Sequence, residues 1–377
     1  MLLIDVSLDH LLHPASQFMH DWMHGLFSSG AFNVLMHCVF ERLEAAGVDP
    51  YGLLRDYIQK WHMPNRMQQK FDAAKVFEKS RRKGNRENTK FRCSASDGLT
   101  LFPLLAFWVK TFCIPAGKAV RACEVLVAIC QVAELFTTIA RGVVTPDQLS
   151  EAVEKFLDMF VGEFGTDPWI SKFHWLLHYP RELRQHGTLY ACWVHERKHK
   201  QIRRYACTAT NTRTYERTVL EEITCQQIFE LKQPNAFSTR AGLIEPTRTL
   251  GKHKAKILLD AMQLPNTAKV RVAMQSRCNA FSCCTKGDVV LISNGHDKVG
   301  AGKVLLNLEI EDVPITIIMP FKIKAFFAVT GSADCDTIGG VQVYATDDFL
   351  CTVQWMQIDA TGVRLLIPWH LRKKCLV

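Results

Sequence analysis

The stretch Lys286-Gly-Asp-Val-Val-Leu-Ile-Ser293 decides the fold class, because the apolar pattern of the chain changes there from helical spacing to that of β-strands. Lys286-Gly-Asp288 is a turn, and Val289–Ser293 is a continuous apolar run. Further short runs follow, separated by turn residues: Val304–Ile310, Val313–Met319, Ala325–Val329, Val341–Ala345, Phe349–Trp355 and Val363–Pro368. Six or seven strands in about ninety residues predict a small all-β barrel or sandwich.

The chain before this point is patterned as helices. Apolar residues recur at helical spacing from Leu26 to Leu43, and again over Pro115–Ala140. Thr145-Pro146-Asp147 combines an N-cap residue, a first-turn proline and an early acid, and it opens another helix that runs to about Phe160. We therefore predict a helical region from about residue 25 to 165.

Composition favours a folded protein of two or three domains. The 377 residues are 48% hydrophobic and 22% charged, which excludes wholesale disorder. The fourteen cysteines contain no Cys-x-x-Cys pair, so neither a disulfide scaffold nor a structural zinc cluster is predicted. Met1–Asp5 does not look like a secretory signal, and charges within Val120–Ala140 disfavour a membrane span. We expect an intracellular protein without membrane contact, and the back part of a longer one.

Positive charge is concentrated in two segments. Lys70–Arg92 holds nine basic against three acidic residues, among them Arg81, Arg82 and Lys83, and Lys172–Arg217 holds ten against three. Clusters of Lys and Arg gain free energy on DNA through counterion release, and the second segment also carries interleaved aromatic rings. The alternative interpretation of both segments is an ordinary solvated basic surface.

Two short patterns combine an acid with histidine or with cations. Asp21 and His24 are three residues apart, which also fits a helix N-cap. Glu196, Lys200 and Arg203 fall on one face of a predicted helix. That arrangement fits a carboxylate that holds a metal ion against a phosphodiester, and it equally fits a salt-bridged basic helix.

The stretches that contain these patterns resemble the catalytic region of CACTA-type (En/Spm-like) transposases. The resemblance rests on Asp21-x-x-His24, on Lys172-Phe-His-Trp-Leu-Leu-His178-Tyr-Pro and on Cys192-Trp-Val-His-Glu-Arg-Lys-His-Lys200. It implies an RNase H-like core in which an Asp, Asp, Glu triad holds two Mg²⁺ or Mn²⁺ ions. By position, Asp21 would be the second aspartate, His24 its companion and Glu196 the final glutamate, with Asp21 and Glu196 as metal ligands.

The resemblance also sets the expected domains. Asp21 and Glu196 are 175 residues apart, and the core of this family is interrupted by a helical insertion that matches the predicted helical region. We therefore expect an α/β protein, an RNase H-like core remnant interrupted by a large all-helical insertion and followed by a small all-β SH3-like barrel. The expected parts are 1–33, the core segment with the second aspartate; 34–165, the insertion; 166–235, the C-terminal helical part of the core; 236–280, a connection; and 281–377, the barrel.

The predicted function is DNA binding by a truncated, transposon-derived nuclear protein. Asp5 and Asp9 lie too near Asp21 in the chain to be the first aspartate, so we predict weak or lost metal-dependent strand cleavage and transfer. The expected DNA contacts are Arg197, Lys198, Lys200, Arg203 and Arg204, together with Arg81, Arg82 and Lys83.

Two other functions stay open at this stage. A non-enzymatic, domesticated scaffold would bind a chromatin or protein partner through its β-barrel, and it would not need Asp21 and Glu196 to meet. A metal-independent cysteine enzyme would need matched Cys, His and Asp spacing, which the sequence lacks. A homo-oligomer is compatible with the DNA-binding function and with the scaffold.

Overall fold

The structure of the chain, a computed structural model, combines helices and strands. It describes residues 19–68, 71–208, 213–232, 238–295 and 298–375. The chain is 49% helical and 24% strand, which confirms the mixed composition that the pattern predicts. It divides into two compact units. The first comprises Met1–Val48, Lys79–Phe102 and Phe112–Cys207, and the second Asp49–Glu78, Pro103–Thr111 and Thr208–Val377.

The described α-helices have the following bounds along the chain: Trp22–Leu26, Ala31–Ala45, Pro50–Ile58, Asn65–Gln68, Ala73–Val76, Lys79–Glu87, Ala95–Trp108, Val120–Thr138, Pro146–Phe164, Ser171–Leu176, Tyr179–His186, Trp193–Thr208, Tyr215–Leu231, Lys252–Ala261 and Trp369–Arg372. The first unit is helical, and it contains no strand within its described residues. An RNase H-like core was expected over 1–33 and 166–235. In the described residues of these two segments, all regular secondary structure is helical.

Helix Pro146–Phe164 begins as its sequence predicts. The Thr145 hydroxyl accepts a hydrogen bond from the Gln148 amide, and the Gln148 side chain accepts one from the Thr145 amide, which together form a capping box. One stripe of the helix is buried, namely Leu149, Val153, Phe156, Leu157 and Phe160. The helix packs against Val120–Thr138, which also packs on Ala31–Ala45. The predicted helix is therefore confirmed, and it ends at Phe164.

The segment Val120–Arg141 is the most apolar helical stretch of the first unit. Within the described ranges it is the one segment whose length and hydropathy would allow a membrane crossing. Of the 18-residue window that meets this test, 72% is buried inside the fold. Leu126, Ile129 and Val132 are no more than 1% exposed, as expected for a helix at the centre of a folded unit.

The second unit contains every described strand, in one antiparallel sheet: β1 Trp61–His62, β2 Gly242–Thr249, β3 Val270–Asn279, β4 Ser282–Thr285, β5 Val289–Ser293, β6 Val299–Ile310, β7 Val313–Phe327, β8 Ser332–Thr337, β9 Gln342–Ala345, β10 Phe349–Val353, β11 Trp355–Gln357 and β12 Gly362–Leu366. The strand order is β1-β11-β12-β8-β7-β6-β3-β2. In addition β4 pairs with β3, β5 with β6, β10 with β5 and β9 with β7.

This topology corrects two expectations for the C-terminal part. The pairings among the described strands do not close into a ring, so the sheet is open where a closed barrel was expected over residues 281–377. The stretch expected as a connection, 236–280, contains β2, helix Lys252–Ala261 and β3. Its strands join the sheet because β3 pairs with β6 as well as with β2.

Strand β5 is buried on both faces. Val289 and Leu291 belong to one apolar cluster and Val290 and Ile292 to another, and all four are no more than 1% exposed. The turn before the strand is held by Asp288, whose two carboxylate oxygens accept hydrogen bonds from the Asn65 amide and the Thr285 amide, both at 2.7 Å. Asp288 thus connects the start of helix Asn65–Gln68 to the sheet.

Replacing Asp288 tests the contribution of these two hydrogen bonds to stability. We expect Asp288→Ala to lower the free energy of unfolding of the second unit by about 1–3 kcal/mol, because two partly buried amides lose their acceptor. Urea unfolding followed by tryptophan fluorescence measures the change. The matched control is Asp347→Ala on the exposed surface of the same unit, which should stay within about 0.5 kcal/mol. Equal midpoints for the two variants would contradict the role of Asp288.

Candidate metal and nucleic-acid site

Asp21 is the N-cap of helix Trp22–Leu26 and is fixed by three segments of the chain. Its Oδ1 accepts hydrogen bonds from the Met23 amide at 3.0 Å and from the Cys192 amide at 3.1 Å. Its backbone carbonyl accepts the Tyr179 hydroxyl at 3.1 Å. Because Cys192 lies 171 residues further along the chain, this contact forms only when folding brings the two segments together.

His24 lies on the same helix and faces Asp21. Its Nδ1 is hydrogen-bonded to Asp21 Oδ2, and its side chain is 38% exposed. A neutral imidazole that donates from Nδ1 to a carboxylate presents Nε2 as an acceptor. The structure thus brings together the two residues of the Asp-x-x-His pattern, with one imidazole nitrogen oriented by the acid.

Cys192 completes this group, and the sequence analysis missed it. Asp21, His24 and Cys192 each offer a ligand atom, and the three atoms lie within 4.8 Å of one another. All three residues are partly buried. Cys192 is the first residue of the Cys-Trp-Val-His-Glu stretch that the resemblance singles out, which is a positional signal. Its neighbours in space could not be known from the spacing of cysteines.

The electrostatics of the group favour an ionised Asp21. Burial by itself raises the pKa of Asp21, but hydrogen bonds from the Cys192 thiol, from His24 and from the Cys192 amide outweigh it, so the pKa lies below its ordinary value. Asp21 therefore offers a negative charge to a cation or to a protonated partner throughout the neutral range.

Aromatic side chains pack against the segment that carries Asp21. Trp22 stacks on Phe136 with ring centroids 5.4 Å apart, and Phe136 meets the edge of Tyr179 at 5.1 Å. Trp22 also contacts Trp193 at 6.4 Å. Because Tyr179 is fully buried, its hydroxyl can reach the Asp21 carbonyl only if this packing is intact. The position of the group is therefore set by the core of the unit.

Glu196 lies in the first turn of helix Trp193–Thr208, which we name the basic helix. This helix begins directly after Cys192, and with a rise of about 1.5 Å per residue the backbone of Glu196 is roughly 6 Å along the axis from Cys192. The side chains of Glu196, Arg197, Lys198 and Lys200 lie outside the described residues. Arg203 and Arg204, further along the basic helix, are exposed.

The first basic segment, Lys70–Arg92, is partly neutralised by contacts within the folded unit. Arg82 pairs with Glu44 at 2.7 Å, and Arg81 donates to the Arg92 carbonyl at 2.9 Å. Lys83 is 84% exposed and only loosely paired, 3.9 Å from Glu87. Of the three residues that were expected to contact DNA here, Lys83 presents its charge most openly to solvent.

Lys172 is a cation near Asp21 that the sequence analysis did not single out. Its Nζ donates to the Ser28 carbonyl at 2.5 Å. Burial and the positive charge of Lys90 lower the pKa of Lys172, while the charge of Asp21 acts in the opposite direction. Lys172 therefore couples electrostatically to both the first basic segment and the Asp21 group.

A second acid–histidine contact lies next to Asp21 in the chain. Glu182, which is buried, accepts hydrogen bonds from the His20 amide at 3.1 Å and from His20 Nδ1. The His20 ring stacks on His178 at 5.1 Å, and Nε2 of His178 lies 3.1 Å from Nε2 of His174. These contacts connect His20, the residue before Asp21, to helix Tyr179–His186 and to helix Ser171–Leu176.

The depressed pKa of Asp21 predicts how stability depends on pH. Because its folded pKa is below the unfolded value, the ionised carboxylate stabilises the fold above the unfolded pKa, and this contribution is lost as the pH falls through the folded pKa. We expect Asp21→Asn to cost about 1.5–3 kcal/mol at neutral pH, as for hydrogen bonds to a charged group. The cost should shrink between about pH 5 and pH 2.

Thermal unfolding at several pH values measures this difference. The control is Asp158→Asn, which changes an exposed acid of the same unit and should show little pH-dependent cost. If the destabilisation by Asp21→Asn were constant across this range, the ionised form of Asp21 would not be the stabilising species.

Comparison with other proteins gives no family for the chain. No protein-family model matches it, and neither a curated protein nor a solved structure does.

Proposed function

We propose that the chain is a transposon-derived, nuclear DNA-binding protein whose site descends from the two-metal centre of a DDE transposase and has weak or lost cleavage activity. The observation that carries this proposal is the hydrogen bond from the Cys192 amide to Asp21 Oδ1. It joins the Asp-x-x-His pattern to the start of the helix that bears Glu196. Two stretches of chain on which the same resemblance rests are thus in contact, although they lie 171 residues apart in the sequence.

The surroundings of this point support an anionic ligand. The basic helix that starts there carries Arg203 and Arg204 on its exposed surface, and Lys172 lies near Asp21. Cations beside a site attract phosphate groups and release counterions from DNA. The expected DNA residues Arg81, Arg82, Lys83 and Arg197, Lys198, Lys200, Arg203, Arg204 all belong to the same compact unit as Asp21.

The described residues do not fit a pair of Mg²⁺ or Mn²⁺ ions, which supports lost cleavage. Two-metal sites need several carboxylate oxygens around ions about 3.5–4 Å apart. The described ligand group contains one carboxylate, Asp21, beside an imidazole and a thiol. Asp5 and Asp9, like the side chain of Glu196, lie outside the described residues. We therefore route no cleavage step through this site.

In this proposal the first unit contains the remnant of an RNase H-like core and part of its helical insertion, since residues 49–78 and 103–111 of the expected insertion belong to the second unit. The support is the meeting of the segments 1–33 and 166–235 at Asp21, with the helices of the intervening chain packed around them.

One observation favours the alternative of a partner-binding scaffold. Strand β9, residues Gln342–Ala345, pairs with β7 alone among the described strands, and Val341 and Val343 are 64% and 45% exposed there. An edge strand with exposed apolar residues can accept a strand from a protein partner. This edge belongs to the second unit, so a scaffold role there is compatible with DNA binding by the first.

Salt-dependent binding tests the DNA proposal. We expect the protein to bind duplex DNA with an affinity that falls steeply with salt, and the double variant Arg203→Ala/Arg204→Ala to reduce the slope of log K against log[salt] by about 2. Fluorescence anisotropy with two unrelated duplexes measures both quantities. The double variant Arg121→Ala/Lys155→Ala removes the same charge from exposed positions of the same unit and serves as the control. A flat salt response in the unaltered protein would contradict the proposal.

A nicking assay tests the loss of catalysis. With supercoiled plasmid and Mg²⁺ or Mn²⁺, the unaltered protein should nick no faster than Asp21→Asn, because the described site supplies one carboxylate to the ions. Asp158→Asn controls for the general effect of an Asp-to-Asn change. Robust metal-dependent nicking that disappears in Asp21→Asn alone would show that the two-metal centre is intact.

A further inference from the structure

We propose that Asp21, His24 and Cys192 bind one transition-metal ion of the Zn²⁺ class, with a fourth coordination position open to solvent. The inference deepens the proposed function, since it concerns the same group of residues, but it does not depend on DNA cleavage.

The geometry of the three ligand atoms suits such an ion. They lie within 4.8 Å of one another. In a tetrahedral zinc site with bonds of about 2.0–2.3 Å, neighbouring ligand atoms are roughly 3.3–3.8 Å apart. Asp21 and His24 are already in hydrogen-bond contact and no pair is further apart than 4.8 Å, so small side-chain rotations would bring the three atoms to these separations. His24 is on the same helix as Asp21, and Cys192 is joined to Asp21 through its own amide.

The chemistry of the ligands selects the class of metal. Mg²⁺ and Ca²⁺ are held by oxygen atoms, whereas thiolate and imidazole ligands favour Zn²⁺ and related transition metals. Here sulfur, nitrogen and oxygen are offered by one residue each. This set differs from the Asp and Glu ligands that the sequence predicts for Mg²⁺ or Mn²⁺, because Cys192 and His24 stand where hard oxygen ligands would be needed.

Neighbouring groups hold the three ligands in place. Asp21 is positioned by the amides of Met23 and Cys192 and by the Tyr179 hydroxyl. The Tyr190 hydroxyl forms a hydrogen bond with the Cys192 side chain. Outer-shell contacts of this kind orient metal ligands and raise affinity.

The open position follows from the number of ligands and their exposure. Structural zinc sites are closed by four protein ligands, whereas sites with three protein ligands keep a position for water or substrate. Each of the three residues here is partly exposed, so solvent reaches the group. Binding would release the proton of the Cys192 thiol, and affinity should therefore rise with pH.

Titration of the full chain with Co²⁺ in the presence of a phosphine reductant tests the proposal. A cysteine-bound tetrahedral Co²⁺ gives a sulfur-to-metal charge-transfer band and strong visible bands, and we expect these to saturate at one ion per chain. Competition with Zn²⁺ should bleach them. Cys192→Ser should abolish the charge-transfer band, and His24→Gln should weaken Zn²⁺ binding by at least about tenfold.

The matched control is Cys207→Ser, which removes an exposed thiol from the same basic helix and should leave the spectrum unchanged. His24 is partly exposed, so His24→Gln keeps the test valid even if Cys192→Ser does not fold. Absence of a charge-transfer band, or a band lost in Cys207→Ser but kept in Cys192→Ser, would overturn the proposal. DNA binding measured on the same samples separates the two proposals: loss of one property with retention of the other refutes only the proposal concerned.

Discussion

The hydrogen bond from the Cys192 amide to the Asp21 carboxylate joins two stretches of chain that are 171 residues apart. It forms only when the helices between them pack, because Trp22, Phe136 and Tyr179 together support the segment on which Asp21 lies. The same contact places the start of the basic helix at the acid. The ligand group and the helix that carries Glu196 meet at this interaction.

The composition of this group bears on what the site can do. A transposase centre needs several carboxylates around hard cations, and the described ligand group contains one, Asp21. A thiol and an imidazole stand beside it. A softer ion bound there would occupy the acid that two-metal chemistry requires, so the proposed metal binding and the proposed loss of cleavage would both follow from the same set of side chains.

Much of the helical fold could be predicted, because local signals determine it. Thr145-Pro146 and the apolar stripe that ends at Phe160 predict their helix correctly, and Val289–Ser293 is a strand with the predicted bounds. Strands with weak apolar patterns, such as Ser332–Thr337 and Gly242–Thr249, were missed. Their pairing partners stabilise them, and cross-strand pairing is not visible in the spacing of one sequence. For the same reason the open pairing of the sheet could not be distinguished from a closed barrel.

The candidate site was predictable only where a motif existed. The Asp21–His24 contact follows from helical spacing, whereas Cys192 and Lys172 join the site through tertiary packing alone. The most direct test of the account is the distance between the carboxylates of Asp21 and Glu196 in a crystal grown with Mn²⁺. If the site has a transposase origin, the two carboxylates should lie about 4–8 Å apart, within reach of one shared metal site. Carboxylates on opposite sides of the basic helix would contradict the transposase origin and leave a basic binding unit joined to an open sheet.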